Sequence, residues 1–217
     1  MPSLVLSHQA PALFLKIKYP NKFDGTALCL STIIPDLDLL IMPFFPLAHR
    51  AITHSLLGVL LWTVPLTILI TIIFSKYLGS FFATIAKGNS VLSYFGVDDW
   101  DYLQRKRYDR KFYIVATYSA IIGGLTHLLL DLPSHAYIEL FFPWIIFQNP
   151  NFLLYSIIDF GAIDVGLSQI EYDFTVYQLI WNIETMVTIV MTLYLLRYIK
   201  KHNLIPKWYN AQSKLST

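Results

Sequence analysis

The 217-residue sequence holds a single cysteine, Cys29. That excludes an internal disulfide and any metal site built from several thiolates. Charge is also scarce: 14% of residues are charged, against 55% hydrophobic and 16% aromatic, and the mean hydropathy is +0.52. So few ionic groups cannot dress a core of this length for water on every side, and lipid must cover part of it. The formal net charge is only +2, and the basic residues sit in loops rather than along one helical face, which leaves no electrostatic case for nucleic acid. No internal repeat or low-complexity tract is visible, so the paired repeats usual in transporters are missing. The N-terminus lacks the basic start, continuous apolar run and small-residue cleavage site of a signal peptide and reads as mature protein.

What is present is long apolar segments. Residues 53–74, 112–132 and 176–199 each reach the roughly 20 residues a helix needs to cross a hydrocarbon core. They predict an all-α fold, a polytopic membrane helical bundle with about 4–5 membrane-embedded helices, in one integral membrane domain over residues 1–217. Residues 1–46 read as a helical hairpin: a helix over 5–19, a turn over 20–25 and a return helix ending near Pro35. Each leg would be only about 20 Å long, so the hairpin packs within the bundle without having to cross it fully. Residues 26–46 and 138–158 are apolar but broken by prolines, and either could span or re-enter. Residues 75–111 and 133–175 read as loops.

The distribution of positive charge orients the bundle. Residues 112–196 contain no Lys or Arg, whereas 76–111 contain seven. Positively charged loops stay cytoplasmic, so residues 105–111 and the C-terminal tail should lie inside and the acidic loop 133–175 outside.

Five of the six histidines fall in three short motifs: Ser7-His8, the run from His49-Arg50 to Thr53-His54-Ser55, and the run from Thr126-His127 through Asp131 to His135. His127 and Asp131 are four apart on a helix, so their side chains share one face and can share an ion, one through nitrogen and one through oxygen. The same spacing also suits a simple mutual hydrogen bond. In the hairpin topology His8 begins the first helix, Asp36 and Asp38 end the second, His54 begins the third, and His127 with Asp131 ends the fourth. Alternating helices bring all of these to the outer end. Ionisable groups collected at one level of a membrane call for a shared cause, and a divalent metal held by mixed nitrogen and oxygen ligands is the simplest. The histidines favour zinc, with Mn or Fe as alternatives. The plainer readings stay open beside this one. His49 and Arg50 could anchor a helix end, Asp36 and Asp38 could form a turn, Thr53 and Ser55 could cap, and His135 and Glu139 could be solvated. Glu184, inside the last span, is a functional candidate whose partner the sequence does not name.

Taken in order, Ser7-His8, Pro35-Asp36-Leu37-Asp38, His49-Arg50 through His54-Ser55, Thr126-His127 through Asp131, and Phe141-Phe142-Pro143 resemble a family of bacterial and archaeal inner-membrane proteins, the YdjM-like group associated with LexA regulation and regarded as metal-dependent hydrolases. Ser7 to Ala12 and the turn from Phe23 to Ala27 further resemble an allied membrane family of unknown function. Together these motifs touch about the first two-thirds of the chain. The YdjM-like group is distantly similar to the zinc-dependent phospholipase C and P1 nuclease group. The resemblance implies phosphodiester hydrolysis, with His8, Asp36, His54, His127 and Asp131 as metal ligands and Asp38 and His49 as weaker candidates. Ala51 stands where a Gly commonly follows His-Arg, and the motifs supply fewer ligands than a three-zinc site needs, which implies a mono- or dinuclear centre. Asp38 or His49 would take a proton. Arg50 would hold a phosphate through paired hydrogen bonds. A site at the outer face of the inner membrane would meet membrane lipids, and its expected substrate is a phospholipid or a lipid-linked phosphate. A non-enzymatic metal-binding membrane protein or a small transporter is the alternative.

Overall fold

A computed structural model describes residues 6–38, 50–135, 138–144, 150–164 and 169–214. The chain starts as a helical hairpin. Helix α1 (Gln9–Lys18) runs into the turn at Pro20, and helix α2 (Gly25–Ser31) returns. Asp24 starts α2 because its carboxylate accepts from the Ala27 N–H at 2.8 Å, satisfying one of the free donors at a helix start. Lys16 closes the turn by donating to the carbonyls of Pro20 and Phe23 at 2.6 and 2.8 Å. Beyond Thr32 the chain tightens into a 3-10 turn over Ile34–Leu37 that carries Asp36 and delivers Asp38.

A short helical turn, Arg50–Thr53, stops at His54. The chain restarts because Ser55 accepts from the Gly58 N–H at 3.0 Å. Helix α3 then continues over Leu56–Lys87, well past the expected end near residue 74. Two further helical pieces follow, Ser90–Tyr94 and Val97–Arg105, so most of the expected loop 75–111 is helical. The physical reason is that the first charge, Lys76, marks where lipid can end and not where backbone hydrogen bonding must end. Helix α4 covers Arg110–Ser134, capped by Asp109, whose carboxylate accepts from the Phe112 N–H at 2.8 Å.

The all-α expectation needs one correction. Strands β1 (Ser156–Asp164) and β2 (Gln169–Thr175) form an antiparallel pair within the region read as an outer loop. Ile157, Ile158, Phe160, Ile170, Tyr172 and Phe174 are residue types that suit a pleated surface, and they outweigh the helical prior there. The embedded helix considered for 138–158 is also not found: its described residues form turns, a 3-10 piece at Asn151–Leu154 and the first residues of β1, and residues 145–149 lie outside the described set. Helix α5 (Val176–Lys201) starts with a reciprocal cap between Thr175 and Gln178, and α6 (Leu204–Lys214) occupies what read as a tail.

Helices α3, α4 and α5 are long and apolar enough to cross a membrane. Large apolar side chains such as Leu61, Leu129, Met186 and Val190 are exposed on them, as lipid-facing surfaces require. The inward face of α3 is a row four residues apart: Val59, Thr63, Thr67, Thr71, Ser75, Gly79 and Ala83, all buried. Four residues overshoot an α-turn by about 40°, so the row would spiral away on a regular helix. Two π-turns, Val59–Thr63 and Phe74–Leu78, have more residues per turn and take back part of that drift.

Adjacent glycines on α4 fix the geometry that matters most. A Cβ on Gly123 would run into Ser31 and the Leu28 carbonyl of α2, while one on Gly124 would press on Val59 and Thr63 of α3. Without side chains there, α2 and α3 both approach the α4 backbone closely. The next turns of α4 carry His127 and Asp131, so the residues that follow α2 and precede α3 are drawn to them. Gly123→Ala should therefore cost about 1–3 kcal/mol by overpacking and weaken whatever the cluster beyond it binds. Gly88→Ala, whose Cβ would meet only the Ile85 carbonyl at 3.6 Å, should be close to neutral when the thermal unfolding of both variants is compared with the native chain.

Candidate metal centre

The four groups the two glycines draw together are Asp36, His54, His127 and Asp131. Each offers one ligand atom, and those atoms lie within 4.8 Å of one another. His127 is fully buried, and its Nδ1–H donates to the Thr32 carbonyl at 2.9 Å. That bond fixes the tautomer and turns the Nε2 lone pair inward. Nε2 then stands 3.2 Å from Asp131 Oδ2 and 3.9 Å from Asp36 Oδ1.

His54 is oriented in the same manner from behind. The Thr53 hydroxyl donates to Asp38 Oδ2 at 3.0 Å, and the Thr53 oxygen lies 2.9 Å from His54 Nδ1, where it accepts that ring proton. His54 Nε2 therefore also presents a lone pair inward, 3.2 Å from Asp36 Oδ1 and 3.4 Å from Asp131 Oδ2.

This arrangement tests whether a cation fits. Two imidazole lone pairs and two carboxylate oxygens face one point, and electron pairs at such distances repel unless something positive lies between them. His127 Nε2 and Asp131 Oδ2 are buried without a hydrogen-bond partner despite their proximity, a costly state for two polar atoms. A divalent ion removes that cost and neutralises both carboxylates. The donor set, two nitrogens and two oxygens, is one that zinc accepts, and Thr32, Thr53 and Asp38 hold the far sides of the two imidazoles as groups behind metal-binding histidines do.

Asp131 is the hub of a wider network. Its other oxygen, Oδ1, lies 3.1 Å from His8 Nε2 and 3.5 Å from His135 Nδ1. The His8 and His127 rings pack with centroids 4.4 Å apart. Arg50 Nη2 is 2.8 Å from His135 Nε2 and 3.9 Å from Asp131 Oδ2, and its side chain, 31% exposed, forms the open edge of the cluster.

A family model matches residues 1–214, described as a domain of unknown function, DUF4184. The chain belongs to the DUF4184 family. No curated protein and no solved structure matches it.

In this DUF4184 chain the structure brings Asp36, His54, His127 and Asp131 to one point and places His8 against the far oxygen of Asp131. Asp38 is on the opposite side of His54 from the cluster, 3.7 Å from Nδ1 and 1% exposed. Arg50 sits at the edge, and His49 lies outside the described residues. His135 is buried and bonded to Arg50, so the solvated reading of it does not hold. Glu184, for which the sequence names no partner, lies beside Ser134 of α4. Sequence reasoning missed two orienting groups. The sequence offers Thr53 only as a possible cap, although its place next to His54 is a signal for the bridge it makes to Asp38. The Thr32 carbonyl carries no residue-type signal at all.

Proposed function

We propose that this chain is a membrane-bound, divalent-metal-dependent hydrolase acting on phosphodiester bonds of a lipid or lipid-linked substrate. The observation that supports it best is the pair of orphaned buried atoms, His127 Nε2 and Asp131 Oδ2, in a four-ligand cluster with a cationic side chain at its open edge. His54, His127, Asp36 and Asp131 would hold the metal, zinc by donor type with Mn or Fe as alternatives, and His8 would steady Asp131 or help hold a second ion. When bound, the metal lowers the pKa of a water toward neutrality and polarises a phosphoryl oxygen. Arg50 offers its remaining guanidinium N–H groups to the substrate phosphate, and His135 holds it in place. Asp38 orients His54 through Thr53, a positioning role. The positive-inside rule puts the cluster at the outer face of the inner membrane, where lipid headgroups lie. The motif resemblance to the YdjM-like proteins, and through them to the zinc-dependent phospholipase C and P1 nuclease group, points the same way.

One observation favours a second reading. His54, His127 and Asp131 are almost wholly buried and the side chain of Asp36 is only 14% exposed, an enclosure that also suits a structural metal. The two readings part at Arg50. The protein, purified in detergent and supplied with zinc or manganese, is assayed on bis(p-nitrophenyl) phosphate and on phospholipid mixed micelles. Hydrolysis by the native chain that falls at least about 100-fold in Arg50→Gln, with metal content unchanged, supports the enzyme. A metal-loaded native chain inert on both substrate types supports the structural metal.

A further inference from the structure

The opposite end of the bundle holds a second polar site. Along α4, Phe112 lies about 30 Å from Asp131 at the rise of a helix, so this site is independent of the metal cluster. A cavity of about 430 Å³ opens there between the α1–α2 turn, the start of α4 and α6. That size falls within the range of small-molecule sites.

Its wall is cationic. Lys16, Lys106, Arg107 and Lys111 line it, against two carboxylates, Asp24 and Asp109. Both carboxylates are already engaged: Asp24 by the Ala27 N–H and Lys106, Asp109 by the Phe112 N–H. Arg107 and Lys111 are exposed and have no ion-pair partner among the described residues. Lys16 and Lys106 are 5% and 7% exposed, so two ammonium groups are held out of water beside the cavity. Burial pushes Lys16 down to about 8, with Asp24 opposing; a bound anion would offset that desolvation. Trp208 and Tyr209 complete the wall, and the Lys16 ammonium stands 4.9 Å from the Trp208 ring centre. Tryptophan and tyrosine are the side chains that settle where headgroups meet acyl chains.

We propose that this cavity binds a phosphate anion, either as the headgroup of an anionic phospholipid or as a free phosphate. The unengaged Arg107 and Lys111 at the rim meet the phosphate oxygens, and the buried Lys16 ammonium, held by two carbonyls and not by a carboxylate, supplies the field behind them. The inference does not depend on hydrolase activity at the other end.

The test uses the full chain with Arg107→Gln and Lys111→Gln combined, and a control with Lys201→Gln and Lys207→Gln, two exposed cations outside the cavity. Both pairs remove the same charge. Lipid retention is read by native mass spectrometry after exchange into phosphatidylglycerol or phosphatidylcholine nanodiscs, and inorganic phosphate binding by titration calorimetry. A phosphatidylglycerol preference that falls roughly thirty-fold in the cavity pair and not in the control supports a lipid headgroup. Saturable phosphate binding lost only in the cavity pair, without lipid preference, supports a free phosphate. If neither ligand binds the native chain, or both pairs lose binding equally, the cavity is not an anion site.

Discussion

Asp24→Asn should cost about 3–5 kcal/mol of stability, because it strands a buried ammonium. Lys106 Nζ sits 2.8 Å from Asp24 Oδ1, with the two side chains 2% and 10% exposed. Asparagine still caps α2 and keeps the size of the side chain, so the substitution isolates the charge. The decisive comparison is the double variant Asp24→Asn with Lys106→Met, which removes both charges and should recover most of the loss in chemical denaturation. A double variant no better than the single one would show that the stranded Lys106 charge does not carry the loss. The pair also sets an acid limit. Burial pushes the Asp24 carboxyl up, but the charge and hydrogen bond of Lys106 outweigh it and hold it below the usual carboxylate range. Its contribution is therefore fully present above about pH 4, the unfolded carboxyl value, and is lost as the pH falls through the lower folded value. Asp24→Asn should abolish that part of the acid sensitivity.

Asp131→Asn should separate metal binding from folding. Asparagine keeps an acceptor toward His8 and turns an N–H toward the inward lone pairs of His127 and His54, which stand 3.2 and 3.4 Å from Oδ2 in the native chain. In the metal-free state this replaces a repulsive contact by a hydrogen bond, so the variant should unfold at the native temperature or above it. With metal added the order reverses. The native chain gains stability by mass action, whereas the variant, having lost a charged ligand, should bind more than about 100-fold more weakly and gain little. Thermal unfolding with and without added zinc reads both effects. Equal gains in the two proteins would remove Asp131 from the ligand set.

The parts of this structure legible in the sequence were those with a local signature. His127 and Asp131 share a face because four residues make about one helical turn, and Pro35-Asp36 announced a break in the return leg, although α2 already ends at Ser31 and Pro35 lies in the 3-10 turn beyond it. Alternating helix directions then sufficed to bring these residues to the same end as His54. The illegible parts depend on contacts across long separations. Asp24 and Lys106 are 82 residues apart, and Arg50 and His135 are 85 apart; neither pairing leaves a spacing to read. Gly123 and Gly124 looked like ordinary small residues of an apolar segment, yet their missing side chains set how closely α2 and α3 approach. The two strands were hidden because a hydropathy reading of 133–175 weighs polarity and not alternation, and α3 ran past residue 74 because helix continuity is set by backbone bonding rather than by lipid.

Metal content tests the account most directly. The native chain, purified in detergent without chelator, and the single variants His54→Ala and His127→Ala are analysed by elemental mass spectrometry, with circular dichroism to show that each remains helical. The four-ligand centre predicts at least one equivalent of zinc, manganese or iron per native chain, and its loss from both variants while the fold persists. A native chain that holds no metal after purification and takes up none when resupplied would contradict the centre, and would return these histidines to packing roles.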